Sequence, residues 1–180
     1  MVPFEAIPRV VSDAARLVTR GELRVSGSAV LSWWVESGKP SRFVDLCVSP
    51  PDAAARVEKM MGLDAWYDRT FGVFVTVSPR ESFVGPEGWD ARAKRFKLPE
   101  APTVEVIVPE PHDVVLAKLE RFDAADQAQI RTCLQAVPMD ENRLDALADA
   151  MPHRQPGFDE ARRARFDFNV TRLRPILYTV

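Results

Sequence analysis

Ser41-Arg42-Phe43-Val44-Asp45-Leu46-Cys47-Val48 reads as a short buried strand that carries one carboxylate. Side chains alternate along a strand, so Val44, Leu46 and Val48 fall on one face and Phe43, Asp45 and Cys47 on the other. A charge inside such a run is costly to bury unless it meets a cation, a metal or several hydrogen-bond donors. Upstream, Leu23-Arg24-Val25-Ser26 has strand character and runs into Gly27-Ser28. An apolar, helix-like segment bearing Trp33 and Trp34 follows over Ala29 to Glu36. Downstream, Thr103-Val104-Glu105-Val106-Ile107-Val108 is a second apolar strand with a single acid. Two strands that each present one carboxylate, beside a Gly-Ser turn, make a candidate site. The competing reading puts Asp45 and Glu105 at strand ends or in pairs with arginines.

The remaining segments predict helices around these strands. Phe4, Ile7, Val10, Val11, Ala14, Leu17 and Val18 have helical spacing over 4–20, with Gly21 in the place of a C-terminal cap. Pro50-Pro51-Asp52 opens a helix that runs to Met61 and closes at Gly62. A strand over Gly72–Ser78 follows, then a Pro- and Gly-punctuated connection from Pro79 to Pro99. That connection holds the basic residues Arg92, Lys94, Arg95 and Lys97, read either as a solvated face or as a phosphate or RNA contact. Pro109-Glu110-Pro111 starts a helix with Val115, Leu119 and Phe122 as its buried stripe. Lys118 and Arg121, three apart, share another of its faces. Helices over Gln127–Ala136 and 140–151 follow, then an arginine-rich segment that ends in Pro175-Ile176-Leu177-Tyr178. The alternation predicts an α/β or α+β fold, a mixed sheet flanked by helices with a C-terminal helical segment. Residues 1–110 would form the core, with 111–180 packed on it.

Composition narrows the function classes. With 180 residues the chain is long enough to bury a sizeable core, and 28% charged residues is ordinary for a soluble domain. A net charge of −2 argues against non-specific coating of nucleic acid and leaves a local basic patch open. Cys47 and Cys133 lack the spacing of a structural zinc site and read as buried free thiols of a reducing, cytoplasmic compartment. No stretch has the length and apolarity of a membrane span, and the first residues, interrupted by Glu5, Pro8, Arg9 and Asp13, do not read as a signal peptide.

Val25-Ser26-Gly27-Ser28, the apolar segment after it and Ser41-Arg42-Phe43-Val44-Asp45-Leu46 together resemble the start of the polymerase-beta-type nucleotidyltransferase fold. Within that superfamily the chain is most similar to small bacterial domains related to the AbiEii toxin. Those domains read Gly-Gly or Gly-Ser, a helix, and a strand with Thr-x-Asp-hydrophobic-Asp. A third acid lies on a later strand, and a helix with Lys-Leu-x-Arg is followed by an Asp. Glu105 matches the third acid, and Pro109 through Arg121, with Lys118, Arg121 and Asp126, matches the helix. The likeness covers roughly residues 5–137.

The resemblance implies a nucleotidyltransferase-like protein, the toxin of a toxin–antitoxin pair, that transfers a nucleotide from a magnesium-bound NTP to RNA or protein. Asp45 and Glu105 would hold the magnesium and, with Lys118, form the catalytic set. Gly27, Ser28, Lys118, Arg121 and Asp126 would hold the nucleotide, and a cognate antitoxin would be the partner. One departure matters. Aligning Asp45 with the second acid of the Asp-x-Asp pair puts Phe43 at the first, and aligning it with the first puts Cys47 at the second. Either way one carboxylate of the pair is missing, unless a different acid, such as Glu36 or Asp52, substitutes for it. The alternatives are therefore a catalytically inactive fold that binds a nucleotide, RNA or protein, and an interaction module that uses its tryptophans and arginine-rich tail.

Overall fold

The central strand of the sheet is also the first. The computed structural model describes residues 1–79 and 83–179. In it β1 (Gly21–Ser26) lies between β2 (Phe43–Ser49) and β5 (Ala101–Val108). β3 (Phe74–Ser78) and β4 (Lys94–Leu98) form the edges. β1 runs antiparallel to β2 and parallel to β5, β2 runs parallel to β3, and β4 runs antiparallel to β5. The fold is thus mixed α/β, with a five-stranded mixed sheet, eight α-helices among the described residues and a long C-terminal helix. The chain divides into two compact units, Met1–Phe83 with Ala93–Pro109, and Val84–Arg92 with Glu110–Val180. Among the described residues no helix is long and apolar enough to cross a membrane.

In the first unit the expected alternation holds. Leu23 and Val25 of β1, Val44, Leu46 and Val48 of β2, and Val104, Val106 and Val108 of β5 share one face and are buried. Helices α1 (Ile7–Leu17) and α2 (Pro51–Met61) pack on each other and on β2, with α1 reaching β5 and α2 reaching β3. They contribute Ile7, Val10, Val11 and Ala14, and Ala53, Val57 and Met61. Burial of each of the larger of these side chains stabilises the unit by about 1.5–3 kcal/mol. A short helix, α3 (Trp66–Phe71), is tied to α1 by the Tyr67 hydroxyl, which donates to Asp13 Oδ2 at 2.8 Å.

Three expectations for this unit are corrected. Gly21 does not cap a helix: α1 ends at Leu17, and Gly21 opens β1 at φ +138°. Its missing side chain is needed there, because a Cβ would lie 2.0 Å from the Ser49 carbonyl oxygen on β2. The helix expected over Ala29 to Glu36 is instead a 3₁₀ stretch, Gly27–Trp33, entered through Gly27 at φ +60°. Its i→i+3 bonding, in a run with Val30 and Trp33, gives no α-helical N-terminus. Of the basic residues of the Pro79–Pro99 connection, Lys94, Arg95 and Lys97 lie on edge strand β4, where charged side chains suit an unpaired sheet edge. Residues 80–82 of that connection lie outside the described residues.

The second unit is helical: α4 (Trp89–Arg92), α5 (Pro111–Ala117), α6 (Ala124–Ala136), α7 (Glu141–Asp149) and α8 (Glu160–Leu177). Asp123, Asp140 and Asp159 cap α6, α7 and α8, each accepting from a backbone N–H three residues on. Its core takes Val114, Val115 and Leu116 from α5, and Ile130, Cys133 and Leu134 from α6. Leu144 and Leu147 of α7 join Phe166, Val170 and Leu173 of α8. Asn169 crosses this core and donates to the Leu119 carbonyl at 2.8 Å.

Gly21→Ala is expected to lower unfolding free energy by at least about 2 kcal/mol, because the clash and the left-handed φ both oppose it. Chemical denaturation of the two proteins measures this directly. An unchanged midpoint contradicts the close approach of β1 to Ser49.

Candidate functional site

The sheet face opposite the apolar one carries the first unit's polar groups. Asp45 stands across from Ser26 on β1 and Thr76 on β3. It is half-buried, next to the point where β1 gives way to Gly27 and Ser28. Cys47, two residues on, is buried opposite Arg24 and Ser78.

Glu105 shares that face but not that place. It stands opposite Glu22, four residues along β1 from Ser26. At roughly 3.3 Å per residue this separates Glu105 from Asp45 by about 13 Å along the strand. A magnesium ion holds its oxygens at about 2.0–2.1 Å, so these two carboxylates do not share one. Glu105 instead pairs with Arg95 of β4 at 2.7 Å. The nearest β5 position to Asp45 on this face is Ile107, level with Arg24, and it has no ligating atom. Among the described residues no group of three or more His, Cys, Asp or Glu side chains is placed to hold a metal. Asp52 pairs with Arg56 at 2.7 Å within α2, and Glu36 is exposed beyond the 3₁₀ stretch. The donor set expected for magnesium therefore does not fit that ion.

Aromatic rings occupy the other flank of Asp45. Phe43 stacks on Phe74, with centroids 5.8 Å apart and planes inclined by 27°. Arg42 lies over the Phe74 ring at 5.9 Å and pairs with Asp68 at 3.1 Å. Phe43 remains 36% exposed. The contribution of Phe74 and Arg42 to this face is not legible from spacing alone, although Phe74 heads the second edge strand.

The basic residues read as a phosphate or RNA contact are mostly engaged within the chain. Arg92 forms a bidentate pair with Asp113, at 2.7 and 3.2 Å. Lys94 donates to the Trp33 carbonyl and lies over the Trp34 ring at 4.3 Å. Arg95 is held by Glu105.

The expected nucleotide-binding trio is brought together in the second unit. Lys118 Nζ is 3.2 Å from Asp126 Oδ1, and Arg121 grips both Asp126 oxygens at 2.7 Å. The geometry differs from two cations on one helix face. α5 ends at Ala117, Lys118 is its C-terminal cap, and Phe122 reverses the chain at φ +51°. Asp126 then lies in the first turn of α6, with its N–H bonded to Asp123. Burial opposes ionisation of the Asp126 carboxyl, but Arg121 and Lys118 outweigh it and hold the group below its ordinary value. The trio is a neutralising cluster at a helix junction, and its cations are already spoken for.

Nearby in the same unit, Glu120 accepts from Arg162 at 2.6 Å and meets His153 Nε2 at 2.9 Å. These partners, Arg162 first, lower its carboxyl to about 2. Cys133 lies inside this core, where burial raises its thiol to about 12 and leaves it unreactive at neutral pH.

Compared with models of protein families, with curated proteins and with solved structures, the chain finds no match.

Asp126→Asn strips the charge that neutralises Lys118 and Arg121, and is expected to cost about 2 kcal/mol near neutral pH. That is below the range for a fully buried pair because Arg121 is largely exposed. A carboxyl depressed in the folded state adds stability above its unfolded value, and that increment fades as pH falls below it. The difference between parent and variant should therefore shrink as pH drops below 3.8, the ordinary value for the group. Urea denaturation from pH 7 to pH 3 checks this, and a difference that stays constant across the range contradicts it.

Proposed function

We propose that the chain is a nucleotidyltransferase-like domain that binds a nucleotide on the polar sheet face of its first unit without two-metal transfer chemistry. The observation that carries this reading is Phe43. Where the resembling families place an acid, two residues before Asp45, this chain has an exposed ring backed by Phe74. A base stacks on such a ring whatever its identity. Asp45 lies two residues along the same strand face, level with Ser26 and Thr76, and a carboxylate there would accept from a base N–H or exocyclic amine. The likeness to the superfamily rests on the residues Val25-Ser26-Gly27-Ser28 and Ser41-Arg42-Phe43-Val44-Asp45-Leu46.

Transfer to an RNA or protein acceptor, under control of an antitoxin, is the second reading. It is favoured by the retention of Asp45 on β2 across from Ser26, next to the Gly27 turn.

The test is equilibrium binding of radiolabelled NTPs to the full chain and two variants, with total RNA and protein assayed for label. Phe43→Ala should weaken binding by about 1–3 kcal/mol, the contribution of one stacked base. Asp45→Asn should weaken it as well, and neither RNA nor protein should acquire label. Label transferred by the parent and lost in Asp45→Asn restores the transferase reading. Binding unchanged by Phe43→Ala removes the stacking platform.

A further inference from the structure

Helix α8 leaves one stripe that the core of the second unit does not use. Its buried residues are Phe166, Asn169, Val170, Leu173 and Ile176. Arg165, Phe168 and Arg172 are exposed, at i, i+3 and i+7, and so share a face. The other arginines of the helix have partners: Arg162 holds Glu120, Arg163 donates to the His153 and Gln155 carbonyls, and Arg174 holds Glu141 and Asp145. The one acid of the helix interior, Asp167, is taken by Arg154 at 2.8 Å. Arg172 lies over the rings of Phe122 and Phe168, at 5.0 and 5.7 Å, and meets Asn169 Oδ1 at 3.4 Å. Among the described residues neither Arg165 nor Arg172 meets a carboxylate. Phe168 is 62% exposed between them.

We propose that this stripe binds a single strand of nucleic acid, with Arg165 and Arg172 on phosphates and Phe168 stacked under a base. Seven helical residues set the two guanidinium-bearing positions about 10.5 Å apart along the axis, so one short run of extended strand reaches both. A cation, an exposed ring and a second cation in line reproduce the alternation of phosphate and base that single-strand sites use. An acidic peptide would engage the two arginines and leave the ring unused. With a net charge of −2 on the whole chain, the attraction is local to the stripe. The proposal does not rest on nucleotide binding by the first unit, and the substitutions that test it lie in the second.

Fluorescence anisotropy of the full chain tests it with a labelled single-stranded RNA of about 20 nucleotides, several times the site expected of one helix stripe. The same sequence as single-stranded DNA and as duplex, and a labelled polyglutamate peptide, are the other probes. Binding of the single strands should exceed that of duplex and peptide, and should fall between about 50 and 200 mM salt. Arg165→Glu should weaken it and flatten the log–log salt slope by about 0.7, the share of one phosphate on a single strand. Phe168→Ala should weaken it by roughly ten- to a hundredfold and leave the slope unchanged. Among the described residues Arg165 meets no carboxylate, and Phe168 is mostly exposed, so neither change threatens the fold. No binding at low salt, affinity and slope unchanged in both variants, or an Arg165-dependent preference for the peptide would each overturn the proposal. RNA and DNA binding equally well supports it, since both supply the same phosphates and bases.

Discussion

Everything in the first unit follows from how β1 is paired, antiparallel to β2 on one side and parallel to β5 on the other. The antiparallel partner brings Asp45 level with Ser26, and the parallel partner brings Glu105 level with Glu22. A register shift of even one residue would turn the apolar set outward, so burial of Leu23, Val25, Val44 and Leu46 locks both registers at once. The two acids are therefore held apart by the same packing that makes the sheet stable. No side-chain rotation closes a gap of about 13 Å.

That constraint explains why some features are readable in the residues and others are not. Period-two alternation identifies which face a residue occupies, so the placement of Phe43, Asp45 and Cys47 opposite Val44, Leu46 and Val48 is legible without coordinates. It carries no information about which β5 residue stands level with Asp45, because register is settled between strands. Hence Glu105 passes for a third ligand in the residues and is an ion-pair partner of Arg95 in the fold, as the competing reading allowed. β4 is hard to read in the residues for a related reason. Lys94, Arg95 and Lys97 look like a solvated loop, yet charge is what keeps an edge strand from pairing with other chains. The period-two positions of Phe96 and Leu98 were the available signal. The end of α5 had no such signal: Lys118-Leu119-Glu120-Arg121 is good helix-forming sequence, and a phenylalanine at φ +51° is a rare choice for a reversal.

The charged residues divide cleanly by whether the fold has already used them. Arg92, Arg95, Lys118, Arg121, Arg162 and Arg174 each face at least one carboxylate. Such pairs orient helices and strands, and they add little driving force for an incoming anion, whose binding would have to displace a partner already in place. Two aromatic side chains, Phe43, stacked on Phe74 on the sheet, and Phe168, next to Arg172 on α8, remain exposed. Both rings are accessible to solvent, and the proposed nucleotide and nucleic-acid sites rest on them.

The central claim is that the first unit binds a nucleotide by stacking and not through a bound magnesium. Calorimetric titration of the full chain with each NTP, in magnesium and in excess chelator, tests it most directly. The account predicts the same affinity in both conditions, with triphosphate and nucleoside forms of one base binding alike. Affinity that appears only with magnesium and vanishes in Asp45→Asn would contradict it, as would the absence of heat with every NTP.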